Sequence, residues 1–426
     1  MSISTLIKNG RVIDPASQID RIADVLIEDG RIADVAGELS SGSAEVFDAS
    51  GLVVAPGFID MHVHLREPGF EHAESIESGS RAAAAGGFTS ICCMPNTNPV
   101  NDSATVTSYI VERARRMALV NVFPIGAITK GSAGTELAAI GAMKAAGAVA
   151  LSDDGLPVMN AMVMRRALEF ARSYDLPVIQ HCEDLSLSGG GDMHEGVKSV
   201  RWGLRGIPAA AEDVMVARDL LLAELTGARY HVAHISTRHA VAMVEHARHR
   251  GMPVTCEATP HHFTLTDEEM EPYDSNYKMK PPLRAARDRG AVVDGIVAGT
   301  VSAIATDHAP HAGSEKMQEF ERCPFGIIGL ETALGLALEQ LVHTGRISLA
   351  RMVELFTTGP EAILRLGRGT LAEAAPADIT IFSTDIEWSY DVNQSYSRSR
   401  NSPFHGRKFR GGPVATMVGG EFVWRR

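Results

Sequence analysis

The stretch Asp60-Met61-His62-Val63-His64 sets two imidazoles two residues apart, directly after the apolar run Leu52 to Ile59. On a strand, residues two apart share a face, so His62 and His64 point the same way with adjacent rings. Two neutral imidazoles converging at a strand's end are a natural start to a zinc-type site. A lone His-x-His is more often a pair of polar residues on an exposed face, so the rest of the chain must supply further ligands. Four other apolar runs do so at their ends: Gln180-His181-Cys182-Glu183-Asp184, Ala233-His234-Ile235-Ser236, Ala305-Thr306-Asp307-His308 and Ser152-Asp153-Asp154-Gly155. Any one of these alone reads as a rim residue or a helix cap. Together, His62, His64, His181 and His234 with two aspartates are too many ligands for one catalytic zinc, which usually takes three protein ligands and a water. The set suits two divalent ions about 3.5–4 Å apart that share a carboxylate and a water. His62, His64 and Asp307 would hold one ion, and His181 and His234 the other. The shared carboxylate must be Asp153 or Asp154. Neighbouring strand residues face opposite ways, so only one can point in, and the residues alone leave the choice open.

Positioning these groups at one mouth requires parallel strands with a common C-terminal rim. Eight apolar, β-rich runs qualify: 52–61, 88–95, 120–129, 148–154, 177–184, 229–236, 253–261 and 301–310. Helical stretches such as Ser103–Ala118 and Glu136–Ala146 separate them, the latter ended by Gly147. This alternation implies an α/β protein built on a (β/α)8 barrel, whose catalytic groups gather at the C-terminal rim. A doubly wound open sheet is the alternative, weakened by the lack of a Gly-rich phosphate fingerprint at the first strand-to-helix turn. The two ends of the chain read differently. Asn9-Gly10 and Asp29-Gly30 each sit between β-formers, a hairpin signal, and β-rich segments return over 378–382 and 415–424. Neither end has enough strands for a stable sheet. The expectation is therefore a small β-sandwich domain built from residues 1–55 and 366–426, around a metal-binding barrel over 56–365.

The 426 residues are 45% hydrophobic and 22% charged, as in a soluble globular protein, with a net charge of −12. That balance argues against nucleic acid or an anionic membrane as a partner. Met1-Ser2-Ile3-Ser4-Thr5-Leu6 lacks the basic start and long apolar core of a signal peptide, and no apolar run is long enough to span a bilayer, so a soluble protein is expected. Five cysteines do not form a disulfide framework in a chain of this size, which points to the cytoplasm.

Several motifs carry a family resemblance. Asp60-Met61-His62-Val63-His64, Met94-Pro95-Asn96-Thr97, Thr306-Asp307-His308-Ala309-Pro310-His311 and Gly329-Leu330-Glu331-Thr332 resemble the cyclic-amidase branch of the amidohydrolase superfamily. His64-Leu65-Arg66-Glu67-Pro68-Gly69, Ser152-Asp153-Asp154-Gly155, Gln180-His181-Cys182-Glu183-Asp184 and Pro324-Phe325-Gly326 resemble type I dihydroorotases, along essentially the whole chain. The resemblance implies reversible cyclisation of N-carbamoyl-L-aspartate to L-dihydroorotate in pyrimidine biosynthesis, with two Zn2+ per subunit. It makes Asp154 the bridging ligand. Many relatives use a carboxylated lysine there, but no lysine lies between Lys144 and Lys198. It also makes Asp307 both a ligand and the general acid/base that serves a metal-activated hydroxide. A homodimer, and association with aspartate transcarbamoylase, are expected from the same resemblance.

The resemblance assigns substrate contacts to His64, Arg66, Asn96, His311, Phe325 and Gly326. Arg66 suits a carboxylate because a guanidinium donates two parallel hydrogen bonds. The chain departs from the family at Lys280, in Tyr277-Lys278-Met279-Lys280-Pro281-Pro282, where asparagine is usual. Lys280 would hold the substrate's carboxylate or carbonyl, or swing out to solvent. Other cyclic amidases (allantoinase, or a hydantoinase or dihydropyrimidinase) are the main alternative, and a transcarbamoylase scaffold without catalysis is another. Arg66 and an aspartate bridge argue against the first, and a complete ligand set against the second. His239, His246 and His249 read as solvated helix residues; His261 and His262 end a strand, and Cys92, Cys93 and Cys182 read as packing residues.

Overall fold

Alternating β-formers at the N-terminus pair as β1 (Ser4–Asp14), β2 (Ile19–Glu28) and β3 (Arg31–Ala36), followed by β4 (Glu45–Asp48) and β5 (Val53–Pro56). The computed structural model describes residues 4–40 and 42–426; residues 1–3, which open the stretch searched above for a signal peptide, and residue 41 lie outside the described residues. Asp29-Gly30 makes the expected two-residue turn, with φ of 49° and 76°. Asn9-Gly10 does not. β1 runs through it, and its pairing with β2 shifts register between Ile7 and Gly10, a bulge in which Asn9 takes φ 62°. Packing decides this: a Cβ on Gly10 would lie 2.5 Å from Val54 Cγ2.

The run 52–61, expected as one strand, breaks at Gly57. β5 pairs with β1, whereas β6 (Phe58–Val63) starts a separate parallel sheet. The chain changes sheets where there is no room for a side chain, since a Cβ on Gly57 would meet Thr89.

β6 pairs in parallel with β7 (Phe88–Cys93), and β7 with β8 (Asn121–Pro124). Leu151 then bridges Gly126 on one side and Val178 on the other. From β9 (Val178–Gln180) the chain makes a short side pair, β10 (Met193–His194) with β11 (Gly206–Ile207). The parallel order resumes through β12 (Tyr230–Val232), β13 (Val254–Ala258) and β14 (Ala303–Ile304). A parallel bridge from His308 to Val63 returns the circuit to its start. All eight expected runs take part, but regular pairing is shorter than expected: the 148–154 run contributes only Leu151, and the 301–310 run only β14 and His308. The rims have left strand geometry, with His234 at φ 32° and Asp307 at φ 48°. Met61, Cys92, Ile125, Ile179, Ala233 and Ala303 pack inside the circuit.

Among the connecting helices, Ala104–Met117 starts after Ser103 as expected. The stretch 136–146 is helical only over Ile140–Ala146, because Leu137 bridges to Thr129; Gly147 ends the helix at φ 115°. No described helix is long and apolar enough to cross a membrane.

The chain end returns as β15 (Ile379–Ser389), β16 (Lys408–Val418) and β17 (Glu421–Arg425). β15 pairs antiparallel with β5, so both chain ends share one sheet, in the order β17-β16-β15-β5-β1-β2-β3 with β4 also on β1. Its outer hairpin turns meet, Gly420 packing against Gly30, so the sheet folds back over Ile7, Val25, Val54, Ile379 and Met417. Between β15 and β16 the chain leaves this sheet: Ser397 bonds Glu74, and Asn401 Nδ2 donates to Ala309 O and Gly326 O at 3.0 Å each.

Candidate metal centre and active site

His62 and His64 stand at the end of β6, and Asp307 lies three residues beyond β14. Asp307 Oδ1 is 3.1 Å from His64 Nε2 and 3.5 Å from His62 Nε2. Asp154 spans two groups of imidazoles. Its Oδ2 lies 3.4 Å from His62 Nε2 and 3.5 Å from His64 Nε2, while its Oδ1 lies 3.3 Å from His234 Nε2 and 3.5 Å from His181 Nδ1. Asp153 points the other way, accepting from the Ile128 and Thr129 N–H groups at 2.8 and 3.0 Å and from the Thr129 hydroxyl at 2.5 Å. These bonds hold Asp153 away from the cluster and leave Asp154 facing it.

Donor atoms of His62, His64, Asp154 and Asp307 all lie within 4.8 Å of one another, as do those of Asp154, His181 and His234. His62 Nε2 is buried without a hydrogen-bond partner, an arrangement that costs about 1–3 kcal/mol unless a ligand takes the lone pair. His181 Nδ1 faces His234 Nε2 at 3.0 Å, where at most one proton fits between two ring nitrogens. A metal ion in each group would use these lone pairs. The residues therefore fit two cations.

On three of the four histidines the far ring nitrogen meets an acceptor and carries the proton, whereas His234 Nδ1 is buried without a partner. His62 Nδ1 meets Glu257 Oε1 at 2.6 Å, His64 Nδ1 meets Asn96 Oδ1 at 2.8 Å, and His181 Nε2 meets Glu183 Oε2 at 3.0 Å. Each acceptor fixes the tautomer that leaves the near nitrogen free for a metal. Glu257 Oε2 also meets His231 Nε2 at 3.2 Å. Sequence reasoning missed Glu257, although a lone glutamate within the apolar strand β13 was a usable signal, because a buried charge needs a partner.

Charge in the cluster follows the same logic. Burial opposes a charge on His62, yet Asp154, Glu257 and Asp307 push its pKa well above the ordinary value. His181 is raised to about 9 by Asp154 and Glu183, again against burial. Burial works against the charged forms of Asp154 and Asp307 too, but the imidazoles around them hold both below the usual carboxylate range. The site draws in positive charge, as protons or as metal ions.

A cavity of about 420 Å³ opens above the cluster, and all seven candidate substrate contacts border it: His64, Arg66, Asn96, Lys280, His311, Phe325 and Gly326. Such a volume suits one small molecule. Arg66 sits at φ 61° with its Nε donating to Pro310 O at 3.1 Å, and burial lowers its pKa only to about 10, so it stays cationic. His311 Nε2 donates to Phe325 O at 2.8 Å, so its 3.3 Å approach to Arg66 Nη2 is a contact between two donors. Burial and the Arg66 charge drop the His311 pKa to about 3 and keep the ring neutral.

Lys280 departs from the swing into solvent weighed above. Its Nζ is 2.9 Å from Glu183 Oε1 and 5.0 Å from the Phe325 ring centroid, inside the pocket and paired with the carboxylate that orients His181. His261 and His262 do not end a strand. They lie buried in the short helix Pro260–Thr264, with His262 Nε2 bonded to Pro281 O at 2.9 Å. His239, His246 and His249 are exposed, and Cys182 turns away toward Tyr230.

Known proteins share this fold. The chain matches the structure of an L-hydantoinase (dihydropyrimidinase) from Arthrobacter aurescens with a TM-score of 0.90 and 26% identity, covering 100% of this chain and 96% of that one. A D-hydantoinase from Bacillus sp. AR9 matches with a TM-score of 0.86 and 26% identity, over 99% and 95% of the two chains. The fold and the buried histidine–aspartate cluster define a metal-dependent cyclic amidohydrolase.

Sequence relatives narrow the class. Residues 51–240 match the family described as dihydro-orotase-like. The dihydroorotase of Solibacter usitatus (strain Ellin6076) is 79% identical over 421 residues, which is 99% of this chain and 98% of that protein. The dihydroorotase of Syntrophotalea carbinolica (strain DSM 2380 / NBRC 103641 / GraBd1) is 53% identical, over 99% of each chain. This chain belongs to the dihydroorotase family.

Proposed function

We propose that the cluster at the rim is the reaction centre of a type I dihydroorotase, interconverting N-carbamoyl-L-aspartate and L-dihydroorotate in pyrimidine biosynthesis. The observation that carries this reading is Asp154, whose two oxygens each face a separate group of imidazoles beneath a pocket that holds Arg66. His62, His64 and Asp307 would hold one Zn2+, His181 and His234 the other, and Asp154 both. When bound, such ions polarise the amide carbonyl and make water acidic enough to attack near neutral pH.

The chain's own residues do the rest. Arg66 binds the substrate carboxylate with two hydrogen bonds. Asn96 gives its carbonyl to His64 and keeps its amide N–H groups for the same carboxylate. His64, His311, Phe325 and Gly326 border the ring, and Lys280, held by Glu183, donates to it. Asp307 moves the proton. In ring opening it takes a proton from the attacking water and passes it to the departing ring nitrogen. In cyclisation it takes one from the ureido nitrogen as that nitrogen bonds the carboxyl carbon, and delivers it to the oxygen that leaves as water.

The circuit of eight parallel segments supports reading the scaffold as a (β/α)8 barrel over 56–365. The folded-back sheet supports a β-sandwich made of 1–55 and 366–426. Five buried, unpaired cysteines support a cytoplasmic setting. The exposed apolar side chains Leu221, Leu225 and Phe170 support a homodimer. Turnover of dihydroorotate against allantoin and hydantoins, with zinc counted per subunit, tests the reading. Dihydroorotate as the best substrate and about two zinc ions are expected; preference for a hydantoin or allantoin would overturn it.

A further inference from the structure

The pocket edge carrying Phe325 and Gly326 belongs to an irregular stretch, 312–328, whose only regular helix is the four-residue Gly313–Lys316. No strand or long helix fixes these two residues. Side chains do so: Asn401 donates to Gly326 O, His311 to Phe325 O, and two buried lysines hold the stretch behind them. Lys316 is 7% exposed and Lys278 2%, a degree of burial lysine rarely reaches unless its charge is satisfied.

Lys316 Nζ donates to Pro324 O at 2.9 Å, Gly326 O at 3.1 Å and Lys278 O at 3.3 Å. Lys278 Nζ donates to Phe320 O at 2.5 Å, Glu321 O at 3.2 Å and Asp192 Oδ1 at 3.4 Å. It also lies 4.5 Å from the centroid of the Phe325 ring, close enough for a cation–π contact. The Gly326 N–H in turn donates to Lys278 O at 2.9 Å. Each ammonium has three N–H bonds, and five of the six go to main-chain carbonyls. Four of those carbonyls belong to residues 320–326, so that stretch turns its oxygens inward onto two cations and sets its Phe325–Gly326 edge against the substrate space. Gly326 O also accepts from Asn401 Nδ2 and Lys278 O from the Gly326 N–H, so losing Lys316 strips Pro324 O of its donor and losing Lys278 strips Glu321 O of its own.

We propose that Lys278 and Lys316 are positioning residues that set the Phe325–Gly326 edge of the pocket, and so govern substrate affinity rather than proton transfer. This rests on the reading of that edge as a substrate wall. Lys316→Met keeps the chain length and removes every donor, whereas Lys316→Gln keeps an amide donor; Lys278→Met tests the partner. In Lys316→Met the KM for dihydroorotate should rise about tenfold, with kcat within about threefold. Zinc per subunit should stay unchanged and hydrogen exchange should speed up over 320–327. Lys316→Gln should fall between wild type and Lys316→Met, and it decides the matter if either methionine variant fails to fold. An unchanged KM with activity lost only through kcat or yield would overturn the proposal, as would a raised KM without faster exchange in that segment. A wild-type protein inactive on dihydroorotate would overturn the activity reading instead.

Discussion

His62 takes its orientation from Glu257 on β13, inside the circuit of strands, whereas His64 and His181 take theirs from Asn96, which borders the substrate pocket, and from Glu183 beside it. Glu257 is shared only with other buried groups, His231 among them. Glu183 is shared with Lys280, which borders the substrate space. The anchor of His62 is therefore set apart from the substrate. His64 and His181 are linked through Asn96 and Glu183 to whatever fills the pocket, and among the described residues Asp154 is the one side chain that belongs to both groups.

Removing that common member should have the largest effect. Asp154→Ala should empty both halves of zinc and lower kcat/KM on the order of a thousandfold or more, read by metal analysis and dihydroorotate assay. Retention of one zinc would show that the halves assemble independently. Asp307→Asn should lower turnover at least about a hundredfold with smaller loss of metal. Near-normal turnover would remove Asp307 from the proton path.

Glu257→Gln and Glu183→Gln sharpen the contrast between the two anchors. The first should weaken zinc binding about 10–100-fold, the usual range for a carboxylate that orients a metal-bound histidine, and leave KM alone. The second should weaken zinc binding less and also raise KM, because it frees Lys280. Equal effects on metal and KM would erase the distinction.

The smallest effect concerns pH. In the zinc-free protein His181 has its pKa raised to about 9, so the stabilisation it provides is complete below its ordinary value of 6.5 and fades as pH rises through 9. The Tm of the zinc-free protein should fall by a few degrees over that window. With zinc bound the nitrogen holds metal instead of a proton, and stability should drop on acidification instead. A zinc-free Tm that rises over the same window would contradict the pairing of His181 with Asp154 and Glu183.

His62, His64, His181, His234 and Asp307 were legible because each ends an apolar run, and parallel strands of a closed circuit share one rim. Local signals fared worse where contacts between distant segments competed. Asn9-Gly10 is a turn by its own chemistry, yet Val54 packs so close that the pair becomes a bulge within β1. The run through Gly57 reads as one strand, yet it crosses between two sheets.

Residue type and spacing were enough to gather the histidines and aspartates at one rim, to order the strands in parallel and to join the two chain ends. Side-chain direction and partners separated by long stretches of chain were decided only on folding. Asp154 rather than Asp153 faces the cluster because Asp153 is tied to Ile128 and Thr129. Glu257 reaches His62 across 195 residues, and Lys280 meets Glu183 rather than solvent. Nothing local in the sequence marks Lys278 and Lys316, because the 320–326 carbonyls close around them only on folding. Burial makes such partners obligatory, and the linear sequence does not record which groups are buried together.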